Sequence, residues 1–429
     1  MRLGGRLAAA IEVLTDMDAR HRPAAEALKD WGLSHRFAGA GDRAAIGNIV
    51  YDALRRKRSA GWLAVAETSR AIALGALTLE NGMSAADIAA ALEGDRFAPE
   101  PPTADEIEAL SSRRLEDAPQ LVQADCPDWC EPLLRQTFGD DWIAETAALA
   151  ARPPLDMRVN TLKSEMDRVA SELKPTGAGE TEIAAHGLRI APIEGAGRHP
   201  NVQVEPAFQK GWFEVQDEGS QMAAALAGAK PGLQVLDYCA GAGGKTLALA
   251  AAMDNKGQIF AHDSDKARLA PIFDRLKRAG VRNAQVVAGA AGLAGHEDQM
   301  DLVLIDAPCT GSGTWRRRPD AKWRLTDRQL ETRTGEQAQI LDKAARFVKS
   351  GGRLVYVTCS VFDAENGAQV DRFVEANPAF APIDHEQHFA SVFPNHAGRA
   401  RIDAGRGIVL SPHRTGTDGF FIAVLERRA

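Results

Sequence analysis

Apolar residues recur at helical spacing through the first 118 positions. Ala24, Leu28 and Trp31 fall at i, i+4 and i+7, and Ile46, Val50 and Leu54 repeat the stripe. Ser84 ahead of Ala85-Ala86-Asp87 has the chemistry of an N-cap. The stretch from Phe97 to Thr103 interrupts the helices, because Pro101 and Pro102 cannot continue one. Residues 1–118 are therefore expected to form an all-α bundle. Between 119 and 228 the runs shorten. Pro127 sits at a first helical turn, and apolar runs at 157–160, 187–190 and 211–215 flank a polar helix at about 163–173. Linking helices followed by a small α+β, RRM-like subdomain fit that pattern.

From 229 to 429 strands and helices alternate. Strands are predicted at Gln234–Tyr238, Gln258–Asp263, Ala284–Ala288, Asp301–Asp306, Arg353–Thr358 and Phe420–Leu425. Helical patterns occupy about 244–252, 266–279, 335–349 and 363–376. This rhythm specifies an α/β, Rossmann-like domain with a doubly wound, mostly parallel sheet. Ligands in such sheets lie at the carboxyl ends of the strands, near the switch in strand order.

Composition narrows the class. A chain of 429 residues, 45% hydrophobic and 25% charged, is globular and holds two or three domains. Arg2 and Arg6 flank an apolar patch, Leu7 to Ile11, that Glu12 ends early, so an amphipathic helix is expected rather than a signal peptide. No apolar run reaches the roughly 18 residues needed to cross a bilayer, and a cytoplasmic monomer without membrane contact is expected. Five scattered cysteines, Cys126, Cys130, Cys239, Cys309 and Cys359, read as free or catalytic thiols rather than a disulfide framework. Cys126 and Cys130 lack a second ligand pair, so no zinc site is expected.

A net charge of −7 argues against a nucleic-acid partner only if charge is evenly spread. It is not. Arg316, Arg317, Arg318, Lys322, Arg324, Arg328 and Arg333 outnumber the acids between them, and Arg55-Arg56-Lys57-Arg58 forms a second cluster. Either cluster alone reads as a solvated helix face.

Chemistry gathers at three predicted strand ends. The first leads into Asp237-Tyr-Cys-Ala-Gly-Ala-Gly-Gly-Lys-Thr246, a glycine-rich turn through which a ligand can approach the backbone. It lacks the first glycine of a phosphate-binding P-loop. The second strand ends at Asp263, where a carboxylate accepts ribose hydroxyls or caps the following helix; the two roles are compatible. The fourth delivers Asp306-Ala-Pro-Cys309 and the fifth Thr358-Cys359-Ser360. A lone strand-end cysteine is usually a small buried hydrophobe. Two of them beside a nucleoside pocket and an aspartate suit covalent catalysis on a pyrimidine. A thiolate added at carbon 6 makes carbon 5 of cytosine nucleophilic, an acid serves ring nitrogen 3, and a base removes the proton from carbon 5. The residues themselves do not rank the two thiols.

These segments resemble the RNA cytosine-5 methyltransferases of the Sun/Nop2 family, on its RsmB-like 16S ribosomal RNA branch. Arg158-Val-Asn160, Gly211 to Ser220, Pro319-Asp-Ala-Lys-Trp323 and Asp418-Gly-Phe-Phe421 are similar to family segments in the expected order. The N-terminal bundle resembles the domain shared with the antitermination factor NusB, an RNA-binding domain. The resemblance implies a class I methyltransferase domain with a seven-stranded sheet and S-adenosylmethionine as cofactor. It implies Cys359 as nucleophile, Cys309 as the thiol assisting proton removal, and Asp306 as the acid at the cytosine. Cofactor contacts would come from Cys239, Ala240, Gly241, Ala242, Gly243, Gly244 and Lys245, with Asp263 at the ribose and Asp306 beside it.

The implied partner is RNA, 16S ribosomal RNA first and transfer RNA second, with a single-stranded or flipped-out cytosine. Arg316, Arg317, Arg318 and Lys322 would hold phosphates, and Trp315 or Trp323 would either stack a base or pack in the core. Two family features are altered. Gly241-Ala242 replaces Ala-Pro, and Ala288-Gly289-Ala290-Ala291 lacks the acid expected near the adenine. These changes keep open an RNA-binding assembly factor with an impaired methyltransferase fold. A nitrogen methyltransferase fits less well, since Asp306-Ala-Pro-Cys309 has neither the second proline nor the aromatic of that class.

Overall fold

The computed structural model describes residues 1–195, 197–403 and 405–428. Two compact units emerge. The first comprises Met1–Pro153, Pro192–His199 and Trp315–Leu325; the second comprises Pro154–Ala191, Pro200–Thr314 and Thr326–Ala429. The linking helices at 120–149 thus fall in the first unit, with the bundle.

The first unit is helical. Its long helices, Leu3–Arg20, Ala24–Ser34, Ala40–Arg55 and Ser69–Asn81, bury Leu7, Leu14, Ile46, Val50 and Leu74 in one core, with Leu28 and Trp31 packed against it. Ser84 caps its helix in a reciprocal box with Asp87, and Thr103 does the same with Glu106. The segment 315–325 is laid into this helical unit through the short helix Pro319–Arg324. Lys322 is buried there. Its Nζ donates to the carbonyls of Arg55, at 3.2 Å, and of Asp125. Trp323 Nε1 donates to Leu54 O at 2.6 Å. Arg55 ends the helix Ala40–Arg55, and Asp125 is the C-cap of Gln120–Ala124. Carbonyls at helix C-termini lack intrahelical donors and carry partial negative charge, which is why a lysine can be buried against two of them.

The second unit holds two sheets. In the small one, β1 (Leu155–Val159), β2 (Gly179–Glu180), β3 (Gly187–Ile190) and β4 (Phe213–Val215) lie antiparallel in the order β2-β3-β1-β4. Alternation along β1 puts Met157 and Val159 in the core with Val169 and Leu173 of the helix Met166–Leu173. The intervening Asp156 and Arg158 are buried polar residues on the opposite face.

The large sheet contains β5 (Gln234–Asp237), β6 (Gln258–Asp263), β7 (Ala284–Ala288), β8 (Met300–Asp306), β9 (Val348–Thr358), β10 (Phe380–Pro382), β11 (Arg401–Asp403), β12 (Gly407–Leu410) and β13 (Phe420–Arg427). Their order is β11-β12-β13-β9-β8-β5-β6-β7, with β10 also on β13. The expected seven strands are thus nine. Five are parallel, β5 to β9, and β10 to β13 add antiparallel pairings. Each of β10, β11 and β12 is three or four residues long, too short for a periodic signal. The helix expected at 335 begins instead at Asp327, because Thr326 and Gln329 cap it reciprocally. Strand order reverses between β5 and β8, so the loops after these strands flank the switch point. Among the described residues no helix is long and apolar enough to cross a membrane.

Candidate active site

The loop after β5 is closed by glycines with left-handed backbones. Gly241 has φ of 50° and Gly243 of 84°, and a Cβ at Gly243 would meet Ile272 at 2.5 Å. Gly241 N donates to Asp263 Oδ2 at 3.0 Å, and Asp265 N to Asp263 Oδ1 at 2.9 Å. Asp263 therefore fastens the loop after β5 to the end of β6. The family's Ala-Pro stiffness is replaced here by a glycine in the conformation glycine favours. Asp237, at the end of β5, is fully buried. Thr246 Oγ1 donates to its Oδ2 at 2.6 Å, while its Oδ1 has no hydrogen-bond partner. Burial pushes its carboxyl up to about 7. Burial likewise raises the Cys239 thiol.

These residues fit a nucleoside-bearing sulfonium. The turn lets a ligand reach the backbone, Asp263 ends β6 beside it, and Asp237 ends β5 with an unpartnered oxygen.

β8 and β9 are neighbouring parallel strands, with Asp306 opposite Val357. Their loops bring Cys309 Sγ and Cys359 Sγ to 3.3 Å, as two free, half-buried thiols. The hydrogen bond to Cys359, with burial added, holds the Cys309 thiol well above its ordinary range. Asp306 Oδ2 accepts from Lys245 Nζ at 2.7 Å, an ion pair in which the lysine is buried and the aspartate about one-third exposed.

A buried carboxylate ties the two cysteine loops together. Glu365 Oε1 accepts from Thr310 N at 2.8 Å and from Gln337 Nε2 at 3.0 Å. Its Oε2 accepts from Thr310 Oγ1 at 2.6 Å and from Ser360 Oγ. Ser360 and Ser312 hydroxyls meet at 2.9 Å, Gly313 N donates to Cys359 O at 2.9 Å, and Gln337 Nε2 also reaches Pro308 O at 2.9 Å. With four donors on its two oxygens, the buried Glu365 is satisfied without a cation.

The residues singled out in the sequence do not all converge. Cys309, Cys359, Asp306, Lys245 and Asp263 meet around the switch point. The basic segment does not supply them with a row of free cations. Arg318 is exposed and Arg317 half-buried, but Arg316 and Lys322 are buried in the helical unit. Lys322 is spent on helix-end carbonyls, and burial lowers it to about 8; its expected phosphate contact is corrected to an anchoring role. Trp315 is 1% exposed and Trp323 is held by Leu54 O, so both pack. Glu365, Gln337 and Ser312 were not foreseen. Gln337 alone had a signal: it lies on the buried stripe of its helix with Leu330, Leu341 and Ala344.

Comparison with known proteins agrees with this fold. The family described as 16S rRNA methyltransferase RsmB/F matches residues 224–426, and its ferredoxin-like domain matches residues 126–192. The chain belongs to the Sun/Nop2 family, on its RsmB/F branch. Members of this family are S-adenosylmethionine-dependent methyltransferases. A probable ribosomal RNA small subunit methyltransferase B from Synechocystis sp. is 35% identical over 312 residues, which are 70% of this chain and 66% of that protein. Ribosomal RNA small subunit methyltransferase B of Citrobacter koseri is 34% identical over 260 residues, 59% of this chain and 58% of the relative. The match thus spans just under two-thirds, or less, of these relatives' length. The crystal structure of PH0851 is 26% identical and superimposes with a TM-score of 0.73 over 100% of both chains.

Proposed function

We propose that this protein methylates carbon 5 of a cytosine in RNA, with 16S ribosomal RNA as the first candidate, through a bond between Cys359 and carbon 6. The observation that carries this reading is the pair of thiols 3.3 Å apart at adjoining strand ends, beside the Lys245–Asp306 pair. Such an arrangement suits addition of a sulfur to a pyrimidine ring with a proton donor beside it. The family resemblance assigns the nucleophile to Cys359 and the assisting thiol to Cys309.

S-adenosylmethionine would be held by the loop after β5 and by Asp263, and would supply an electrophilic methyl group. Cys359 gives its proton to solvent and its sulfur forms a bond to carbon 6, while Lys245, through Asp306, gives a proton to ring nitrogen 3. The pair of electrons then available at carbon 5 takes the methyl. Cys309, as a thiolate after its own proton has passed to solvent, removes the proton from carbon 5. The carbon 6–sulfur bond breaks, its electrons return to Cys359, and the proton on nitrogen 3 goes back to the Lys245–Asp306 pair. Chemistry on ribosomal RNA sets the enzyme in the cytoplasm.

Transfer of labelled methyl to unmodified 16S RNA tests this reading. Label in 5-methylcytosine is expected with wild type and none with Cys359→Ala. Cys309→Ala should trap a protein–RNA adduct on a denaturing gel. No label on 16S RNA, transfer RNA or small subunits would reject it. The acid missing from Ala288–Ala291 favours a second reading, an assembly factor with weakened cofactor binding. Calorimetry with S-adenosylmethionine separates the two.

A further inference from the structure

The Lys245 ammonium has three hydrogens to place. One goes to Asp306 at 2.7 Å and another to Ser220 Oγ at 3.3 Å, while the Phe420 ring lies 5.4 Å away. Ser220 Oγ also receives Gln216 Nε2 at 3.1 Å, and Gln216 Oε1 receives Arg158 Nε at 2.7 Å. The ends of this row fix its polarity, because arginine and the lysine ammonium can only donate. The Gln216 amide must turn its oxygen to Arg158 and its nitrogen to Ser220. The serine oxygen then accepts from both sides.

The far end of the row is rigidly set. Arg158 is 7% exposed on the polar face of the small sheet, beside β4. Glu214, its partner across β1 and β4, is already engaged by Arg275 at 3.0 Å and by Arg278. Arg158 therefore keeps Gln216 as its hydrogen-bonded partner. At the near end a second carboxyl group is close in the sheet: Asp237 ends β5, the strand paired with β8, and its Oδ1 has no hydrogen-bond partner. A flexible four-carbon stem could serve either aspartate.

We propose that Ser220, oriented by Gln216 and Arg158, is a positioning residue that aims the Lys245 ammonium at Asp306 rather than Asp237. This rests on the methylation reading above. The small subdomain then contributes to catalysis by setting the direction of the proton-donating pair, without touching the cytosine.

The test compares the full-length wild type with Ser220→Ala, Ser220→Thr and Gln216→Leu in methyl transfer to unmodified 16S RNA across the pH range. Ser220→Ala should lower kcat by about 10- to 100-fold, with KM for RNA changed less than about two-fold. Its alkaline limb should move to lower pH, since an ammonium with one acceptor fewer loses its proton more readily. Ser220→Thr, which keeps the hydroxyl, should restore both rate and limb. Gln216→Leu should move the limb the same way by a smaller amount. S-adenosylmethionine binding at wild-type strength shows that the variants are folded. An unmoved limb in Ser220→Ala, or an equal loss in the threonine variant, overturns the positioning role while the active wild type upholds methylation. A wild type that methylates no RNA removes the methylation reading, and this inference with it.

Discussion

The strand-end loops and the segment 315–325 follow one another in the chain, yet their polar residues are spent in opposite ways. In the loops, polar side chains hold each other so that two thiols and an aspartate remain available. Glu365 gathers four donors, and Asp263 fastens the glycine turn. In the segment, charge is consumed by the fold. Lys322 and Trp323 close the carboxyl ends of two helices that belong to the distant N-terminal part of the sequence. A basic residue near catalytic residues in sequence is thus no guide to where its charge goes. Helix ends compete with phosphates for it, and a buried helix end has no other donor to turn to.

Substitutions can separate these two uses. The largest expected effect is at Cys359, where Cys359→Ala should reduce methyl transfer by about 10⁴-fold or more while leaving the unfolding midpoint near that of wild type. Lys322→Met should behave in the converse way. Its loss leaves helix-end carbonyls unpartnered in a buried site, costing about 2–3 kcal/mol in urea unfolding, with the salt dependence of RNA binding unaltered. A lower salt slope in that variant would return Lys322 to the phosphates.

Glu365→Gln joins the two behaviours, because a neutral amide cannot accept from all four donors. About 2 kcal/mol of stability and about tenfold in kcat should be lost together. Asp237 offers a pH test of burial at the cofactor loop. Its folded pKa, about 7, lies above its ordinary 3.8, so ionisation penalises folding only as pH rises between those values. Asp237→Asn should match wild type in melting experiments below about pH 4 and exceed it by about 2–4 kcal/mol at pH 8. A difference independent of pH would show that Asp237 ionises freely. The smallest effect is expected at exposed Arg318, where Arg318→Ala should weaken RNA binding a few-fold and lower the salt slope by about one.

Much of the methyltransferase half was legible because its parallel strands are continuous apolar runs that end in polar and glycine-rich loops. β5, β6, β7 and β8 start and stop within about a residue of the apolar runs, and the thiols sit where those runs end. What escaped was held by long-range polar contacts. Nothing local distinguishes the buried Glu365 from the neighbouring Asp363, and the residues that clamp it come from positions 310, 337 and 360. The short antiparallel strands β11 and β12 exist because β13 offers an edge, which no single segment reveals. Lys322 and Arg318 look alike in sequence and differ only in what folds over them.

The anchoring of Lys322 also bears on the order in which the chain can fold. Its acceptors precede it by 267 and 197 residues. During synthesis the N-terminal helices emerge with the carboxyl ends at Arg55 and Asp125 still open, and must wait for about half of the methyltransferase sequence before they are closed. Contacts this distant form late and slowly. The helical unit should therefore reach full stability only after residue 325 has left the ribosome, and a fragment ending at residue 153 should be looser than the same residues in the whole protein.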